Sequence, residues 1–235
     1  MMRNNHIIGI IGSMDAEIEK YTKQATYCQT THWNDFLFHK VKLFGKDAVI
    51  IKSGVGKVCA AMVCEKLIDA YHPRAIIFTG VAGALNQDLE IGDIVVSRDC
   101  IQHDLDVQAL GFSRGTIPYT EYRVFVASEK LRKLALSAKL GGNKIVEGRI
   151  LTGDQFLTQK EASDHTYLVE ELKGDVIEME GGAIAQVCTL TKTPFLIVRT
   201  VSDKADRTAV ADFHKFLPIV ANNSFTIIET ILNNL

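Results

Sequence analysis

The strongest constraint in this chain is a set of short runs that are apolar at consecutive positions rather than at alternate ones. Residues 7–11, 48–52, 75–79 and 194–201 are rich in Ile, Val, Phe and Ala. A strand that is apolar on both faces has to be covered on both, as in sheets flanked by two layers of helices. Helical segments fall between the runs. Residues 14–24 follow two candidate N-caps, Ser13 and Asp15. A second helix follows Ser53-Gly-Val-Gly56 and ends near Tyr71, with Pro73 beyond it; Val58, Met62 and Leu67 are expected on its apolar face with Ala60 and Ala61. Others are predicted at 129–140, 160–172, from about 180 to 189, and as one long amphipathic stretch at 212–235.

Residues 27–33 and 36–43, with a turn at Gly45-Lys46-Asp47, form a meander with 48–52, so the sheet is expected to be mixed. Further strands are predicted at 93–97, 124–127, 144–152 and 176–179, and long loops at 99–120 and 202–211. Strands and helices alternate without a linker or a repeat. The pattern predicts one domain spanning 1–235, an α/β fold in three layers (α/β/α) with a mixed central β-sheet.

Composition removes several classes of function. Of 235 residues 47% are hydrophobic and 23% charged, enough apolar material for a sizeable core. A net charge of −2 argues against a nucleic-acid partner, which needs a clustered excess of Lys and Arg. No run approaches the ~20 apolar residues of a membrane helix, and the N-terminal apolar run is broken by Gly9 and Gly12, unlike a signal peptide. Cys28, Cys59, Cys64, Cys100 and Cys188 include no C-x-x-C spacing, so neither a zinc site nor a disulfide framework is expected, and a reducing, cytoplasmic setting fits.

Two glycine loops suggest phosphate binding, and both fail on residues. Gly9-Ile-Ile-Gly12 has two glycines where a dinucleotide loop needs three. Lys52-Ser-Gly-Val-Gly-Lys57 resembles the end of a nucleotide-triphosphate loop, but Ile51 stands at its first glycine and Val58 at its magnesium-binding hydroxyl. The second loop reads more simply as a tight strand-to-helix turn. Three acids are more telling. Glu17, Glu180 and Asp203 each follow a predicted strand, where open α/β sheets bind ligands. One such acid is usually a solvated helix cap. Three together suit chemistry in which one carboxyl protonates a leaving group and another activates water.

The blocks Gly9-Ile-Ile-Gly-Ser-Met-Asp-Ala-Glu17, Lys52–Lys57, Thr79-Gly-Val-Ala-Gly83, Val176-Ile-Glu-Met-Glu-Gly-Gly-Ala183 and Val198-Arg-Thr-Val-Ser-Asp203 occur in order. Together they resemble the 5′-methylthioadenosine/S-adenosylhomocysteine nucleosidases of the purine nucleoside phosphorylase-like superfamily. The resemblance implies hydrolysis of an N-glycosidic bond to adenine and a 5-thioribose, a homodimer, and no metal or organic cofactor. It implies Asp203 as the acid at adenine N7 and Glu17 as the base for water. Glu180 is implied for the ribose hydroxyls, with Met179 against the sugar. Phe156 and the Leu157 backbone are implied for the base, with Gly83 and Ser202 nearby and Arg199 orienting the water. Met14 and Phe213 are implied for the 5′ pocket, joined by Val107, Leu110, Phe112 and Pro118 from a second subunit.

Asp203 has to carry a proton at the moment of cleavage, whereas an ordinary aspartate titrates near about 3.9; the apolar run before it supplies burial. Two positions depart from the family pattern. Val81 stands where a serine is expected, and Leu110 where a phenylalanine is common. Two alternatives remain at this stage. A phosphorylase on the same fold needs arginines in the first glycine loop, where this chain has Ser13, Met14, Asp15 and Glu17. A non-catalytic nucleoside binder has no need of both an acid and a base.

Overall fold

The computed structural model describes residues 6–26, 28–158, 165–205, 209–220 and 223–235. Its strands are β1 (Ile8–Gly12), β2 (Cys28–Trp33), β3 (Phe36–Leu43), β4 (Lys46–Lys52), β5 (Ala75–Ala84), β6 (Ile94–Gln102), β7 (Phe125–Val126), β8 (Ile145–Thr152), β9 (Val176–Glu178) and β10 (Phe195–Asp203). The helices are α1 (Asp15–Gln24), α2 (Lys57–Tyr71), α3 (Glu129–Leu136), α4 (Tyr167–Glu170), α5 (Gly181–Leu190), α6 (Ala209–Val220) and α7 (Ser224–Asn234).

The sheet is mixed, as the meander predicted. β1 lies parallel between β4 and β5, and β2, β3 and β4 form the antiparallel meander. On the other side β5 pairs with both β9 and β10, and β10, β6, β8 and β9 are joined in turn. Those five strands therefore close on one another, which no local pattern announced. The doubly apolar runs are fully interior: every residue of β1, β5 and β10 is buried. Each isoleucine among them contributes roughly 1.5–3 kcal/mol on leaving water.

Helices cover both faces. Leu67 of α2 and Ile76 of β5 occupy the space that a side chain at Gly9 would fill. On the opposite face the Tyr21 hydroxyl of α1 meets Ser224 of α7 at 3.0 Å and Thr79 of β5 at 3.4 Å. Residues 76 and 79 are an odd number apart on one strand, so they point to opposite sides.

Several local expectations are corrected. Neither Ser13 nor Asp15 caps α1. Met14 occupies the N-cap position, Asp15 turns outward to Lys52 Nζ at 2.9 Å, and Glu17 reaches back to the free N–H groups. The buried face of α2 is Ala60, Val63, Cys64 and Leu67, a regular i, i+3, i+4, i+7 stripe; Val58 and Met62 face outward. The long C-terminal helix is two, α6 and α7. Ser224 is drawn into the core by Tyr21 and Thr79, and Asn223 donates to the Gly92 carbonyl at 3.1 Å. α3 stops at Leu136, where the Ser137 hydroxyl takes the Leu134 carbonyl at 2.7 Å, ahead of the glycine pair. β6 runs on to Gln102 and β10 to Asp203, so both predicted loops start later. Of the helix predicted at 160–172, residues 160–164 lie outside the described residues; α4 is the helical part of the rest.

Candidate active site

The C-terminal ends of β1, β5, β9 and β10 open onto one cleft. Met14, Glu17, Val81, Gly83, Phe156, Leu157, Met179, Glu180, Ser202, Asp203 and Phe213 all line it. Arg199 lies beneath it, fully buried. Val107, Leu110, Phe112 and Pro118 are not part of this chain's own cleft. They lie in the segment after β6, where Leu110 is 63% exposed and Phe112 packs edge-on against Tyr119.

Arg199 organises the floor. In the parallel pair of β10 and β5 it stands opposite Gly80. A methyl group at that position would land on the guanidinium and on the Glu17 carboxylate. The guanidinium stacks over Phe78, 3.9 Å from the ring centre, a cation–π arrangement suited to a buried cation. Nη2 forms an ion pair with Glu178 and lies 3.8 Å from Glu180. Nε and Nη1 have no hydrogen-bond partner among the described residues. Burial works against the charge of Arg199, but Glu178, Glu17 and Glu180 outweigh it and hold its pKa above the ordinary value.

Glu17 sits in a cradle made by the turn that starts α1. One carboxylate oxygen accepts the Ser13 and Met14 N–H groups at 2.7 and 3.0 Å and the Ser13 hydroxyl at 2.8 Å; the other accepts the Val81 N–H at 3.0 Å. Asp203, at the end of β10, accepts the Ser202 hydroxyl and the Ala205 N–H, both at 2.9 Å. Gly83 is its register partner, and a side chain there would press on the Asp203 carboxylate. Phe156 and Phe213 meet edge-on at 5.5 Å on the cleft wall.

The second glycine loop serves a carboxylate rather than a phosphate. The Gly56 N–H donates to Glu180 at 2.8 Å. Lys57 turns away: its ammonium binds Asp104 at 2.7 Å and its N–H binds Asp154 at 3.0 Å. Burial pushes Glu180 up to about 8. Glu178 and, more weakly, Glu17 add to that rise, against the pull of Arg199 and the Gly56 N–H.

Sequence reasoning missed Glu178, along with Ser13, Val55, Ala82, Gln155 and Ile177 on the cleft wall. Two signals pointed to Glu178. It stands two residues before Glu180 on the same strand end, and a buried arginine in an apolar strand requires a buried anion.

The Glu180 pKa makes a stability prediction. A glutamate held at about 8 in the fold keeps its proton where the unfolded chain, titrating near 4.5, has lost it. Its contribution to stability is therefore greatest in acid and declines as pH rises from about 4.5 to about 8. Glu180→Gln, which cannot ionise, is expected to melt several degrees above wild type at about pH 9 and within a degree or two of it at about pH 5. Thermal melts of the ligand-free protein at the two pH values check this; equal shifts at both would refute it.

The chain matches the phosphorylase superfamily model over residues 7–233. It is 36% identical to the 5′-methylthioadenosine/S-adenosylhomocysteine nucleosidase of Colwellia psychrerythraea, over 97% of this chain and 96% of that one. The solved structure of a nucleosidase of the same name from that organism, in complex with adenine, superposes with a TM-score of 0.93 at 34% identity, covering 100% of this chain and 98% of the other. A futalosine hydrolase of Helicobacter pylori superposes with a TM-score of 0.91 at 32% identity, over 98% and 99% of the two chains. With the cleft at these strand ends, the chain belongs to the phosphorylase superfamily and, within it, to the 5′-methylthioadenosine/S-adenosylhomocysteine nucleosidases.

Proposed function

We propose that this chain hydrolyses the N-glycosidic bond of 5′-methylthioadenosine and S-adenosylhomocysteine, releasing adenine and the 5-thioribose. The observation that carries this reading is that two buried carboxyls, Glu17 and Asp203, open on one cleft from different strand ends. The bond breaks through an oxocarbenium-like transition state, and adenine leaves poorly as an anion. Asp203 gives its proton to N7 of the base, which Phe156, Leu157 and Gly83 receive. Glu17 takes a proton from the attacking water, and the unpartnered Nη1 of Arg199 orients that water. Glu180 accepts the ribose hydroxyls and, as an anion, stabilises charge growing on the sugar; Met179 packs on the ring. Each proton transfer is worth roughly 10²–10⁴-fold in rate.

The phosphorylase alternative is disfavoured on charge. A phosphate entering beside Arg199 would meet the carboxylates of Glu17 and Glu178 around that single cation. Adenine should therefore appear from 5′-methylthioadenosine in phosphate-free buffer, at a rate that added phosphate does not raise. In the same assay Asp203→Asn should lose 10²-fold or more in kcat while a stable analogue still binds. Release that depends on phosphate would move the reading to a phosphorylase, and a near-normal kcat in the variant would remove Asp203 from the acid role.

We also propose a homodimer in which Val107, Leu110, Phe112 and Pro118 of one subunit complete the 5′ pocket formed by Met14 and Phe213 of the other. Support comes from apolar side chains left exposed: Val55 on the cleft wall, Val58 and Met62 on α2, and Leu110 and Tyr119 after β6, are 40–86% exposed. Sedimentation should give a dimer at assay concentrations, and a fully active monomer on dilution would overturn it. The free thiols of Cys59, Cys64, Cys100 and Cys188 suit a reducing cytoplasm.

Val81 faces the cleft with methyl groups at the position where the family resemblance implies a serine. One net hydrogen bond is worth about 0.5–1.5 kcal/mol, up to roughly tenfold in rate. Val81→Ser is expected to raise kcat/KM for 5′-methylthioadenosine a few-fold. A fall, with the melting temperature unchanged, would mean that the valine serves a nucleoside whose sugar or tail packs on its methyl groups.

A further inference from the structure

The proposed reaction uses Glu17 and Glu180 directly, yet the hydrogen-bonded ion pair with Arg199 belongs to a third carboxylate. Glu178 accepts the Thr152 hydroxyl, Arg199 Nη2, the Glu180 N–H at 3.1 Å, and the Gly181 N–H at 2.9 and 2.7 Å to its two oxygens. With these donors in place it has little capacity left for a ligand, although it forms part of the cleft wall. Two of the donors belong to residues 180 and 181, so Glu178 also fixes the backbone from which the Glu180 side chain departs.

We propose that Glu178 is the positioning residue of this site: by taking the charge of Arg199 and the N–H groups that open α5, it leaves Glu180 without a counter-ion of its own and free to exchange a proton for the hydroxyl groups of a sugar. The charges around Glu180 set this up. From β10 it faces Arg199, whose nearest nitrogen is 3.8 Å away and already paired. From β9 it faces Glu178, and from α1 Glu17 adds a more distant negative charge. From the loop before α2 it receives only the neutral Gly56 N–H, because the Lys57 ammonium is held by Asp104 and Asp154. Asp203 shares the cleft from the far end of β10. One cation among three carboxylates in a buried pocket favours a retained proton, in line with the high pKa of Glu180. When a nucleoside binds, its 2′ and 3′ hydroxyls donate to Glu180, the carboxyl ionises to accept them, and its proton passes to solvent. No other bond changes.

The sugar comes from the nucleosidase reading, so the inference rests on it. The probe is the 7-deaza analogue of 5′-methylthioadenosine, which keeps both ribose hydroxyls and lacks the N7 that Asp203 protonates. Calorimetry near pH 7 in buffers of different ionisation heat should show most of one proton released per site by wild type, and almost none by Glu180→Gln. In Glu178→Gln the charge of Arg199 falls to Glu180. Proton release near pH 7 should drop to less than half, and the pH dependence of Kd should move down by at least one pH unit. A merely structural defect would weaken binding without moving that curve. Glu178→Asp keeps the charge but ends one methylene short of Arg199; a smaller shift in the same direction is expected, and it is the variant to read if the glutamine form does not fold. Absence of proton release in wild type, or an unmoved pH curve in whichever folded variant is read, overturns the proposal. Failure of wild type to release adenine from 5′-methylthioadenosine would instead overturn the nucleosidase reading itself.

Discussion

A single buried cation holds the site together. The Arg199 guanidinium is buried away from bulk solvent, so its charge must be matched within the fold, and Glu178, Glu17, Glu180 and the face of Phe78 surround it. Each of these comes from a different part of the chain: β9, α1, the turn into α5, and β5. The two-stranded register that puts Arg199 opposite Gly80 is therefore a condition for the whole arrangement. Lengthening the side chain at 80 by one carbon would place it on both the cation and its partner Glu17.

That arrangement costs stability. Three carboxylates near one cation cannot all be comfortable in a buried pocket, and the strain appears at Glu180, pushed up to about 8. Functional sites commonly hold such conflicts because the ligand resolves them. Sugar hydroxyls would add donors to the one that Gly56 gives Glu180, and an oxocarbenium-like charge would add a second cation. The same acidity repels phosphate, so one electrostatic feature argues both for a sugar cation and against a phosphorylase.

Much of the molecule was legible in the chain. The doubly apolar runs around Ile10, Ile77 and Ile197 predicted strands covered on both faces, and the meander at 27–52 predicted a mixed sheet; both follow from local periodicity and turn chemistry. The acids Glu17, Glu180 and Asp203 were visible because each follows a strand-like run. Misreadings came where a distant contact overrode a local preference. The stretch at 212–235 reads as one helix until Ser224 is seen bonded to Tyr21 and Thr79, residues more than a hundred positions away. Val58 and Met62 look like core residues on α2, but the sheet takes the Ala60–Val63–Cys64–Leu67 stripe instead.

The sequence by itself determined most of the elements, the mixed α/β architecture and the placing of Glu17, Glu180 and Asp203 after strands, because these depend on side-chain period, on turn residues and on what a strand end can present. Only the tertiary structure decided how the charges are shared. That Gly56 donates to a carboxylate, that Lys57 is spent on Asp104, and that Glu178 rather than Glu180 holds Arg199 are outcomes of strand register and helix placement. Coulomb interactions in a dry pocket change steeply over an ångström or two, and no one-dimensional pattern encodes distances on that scale.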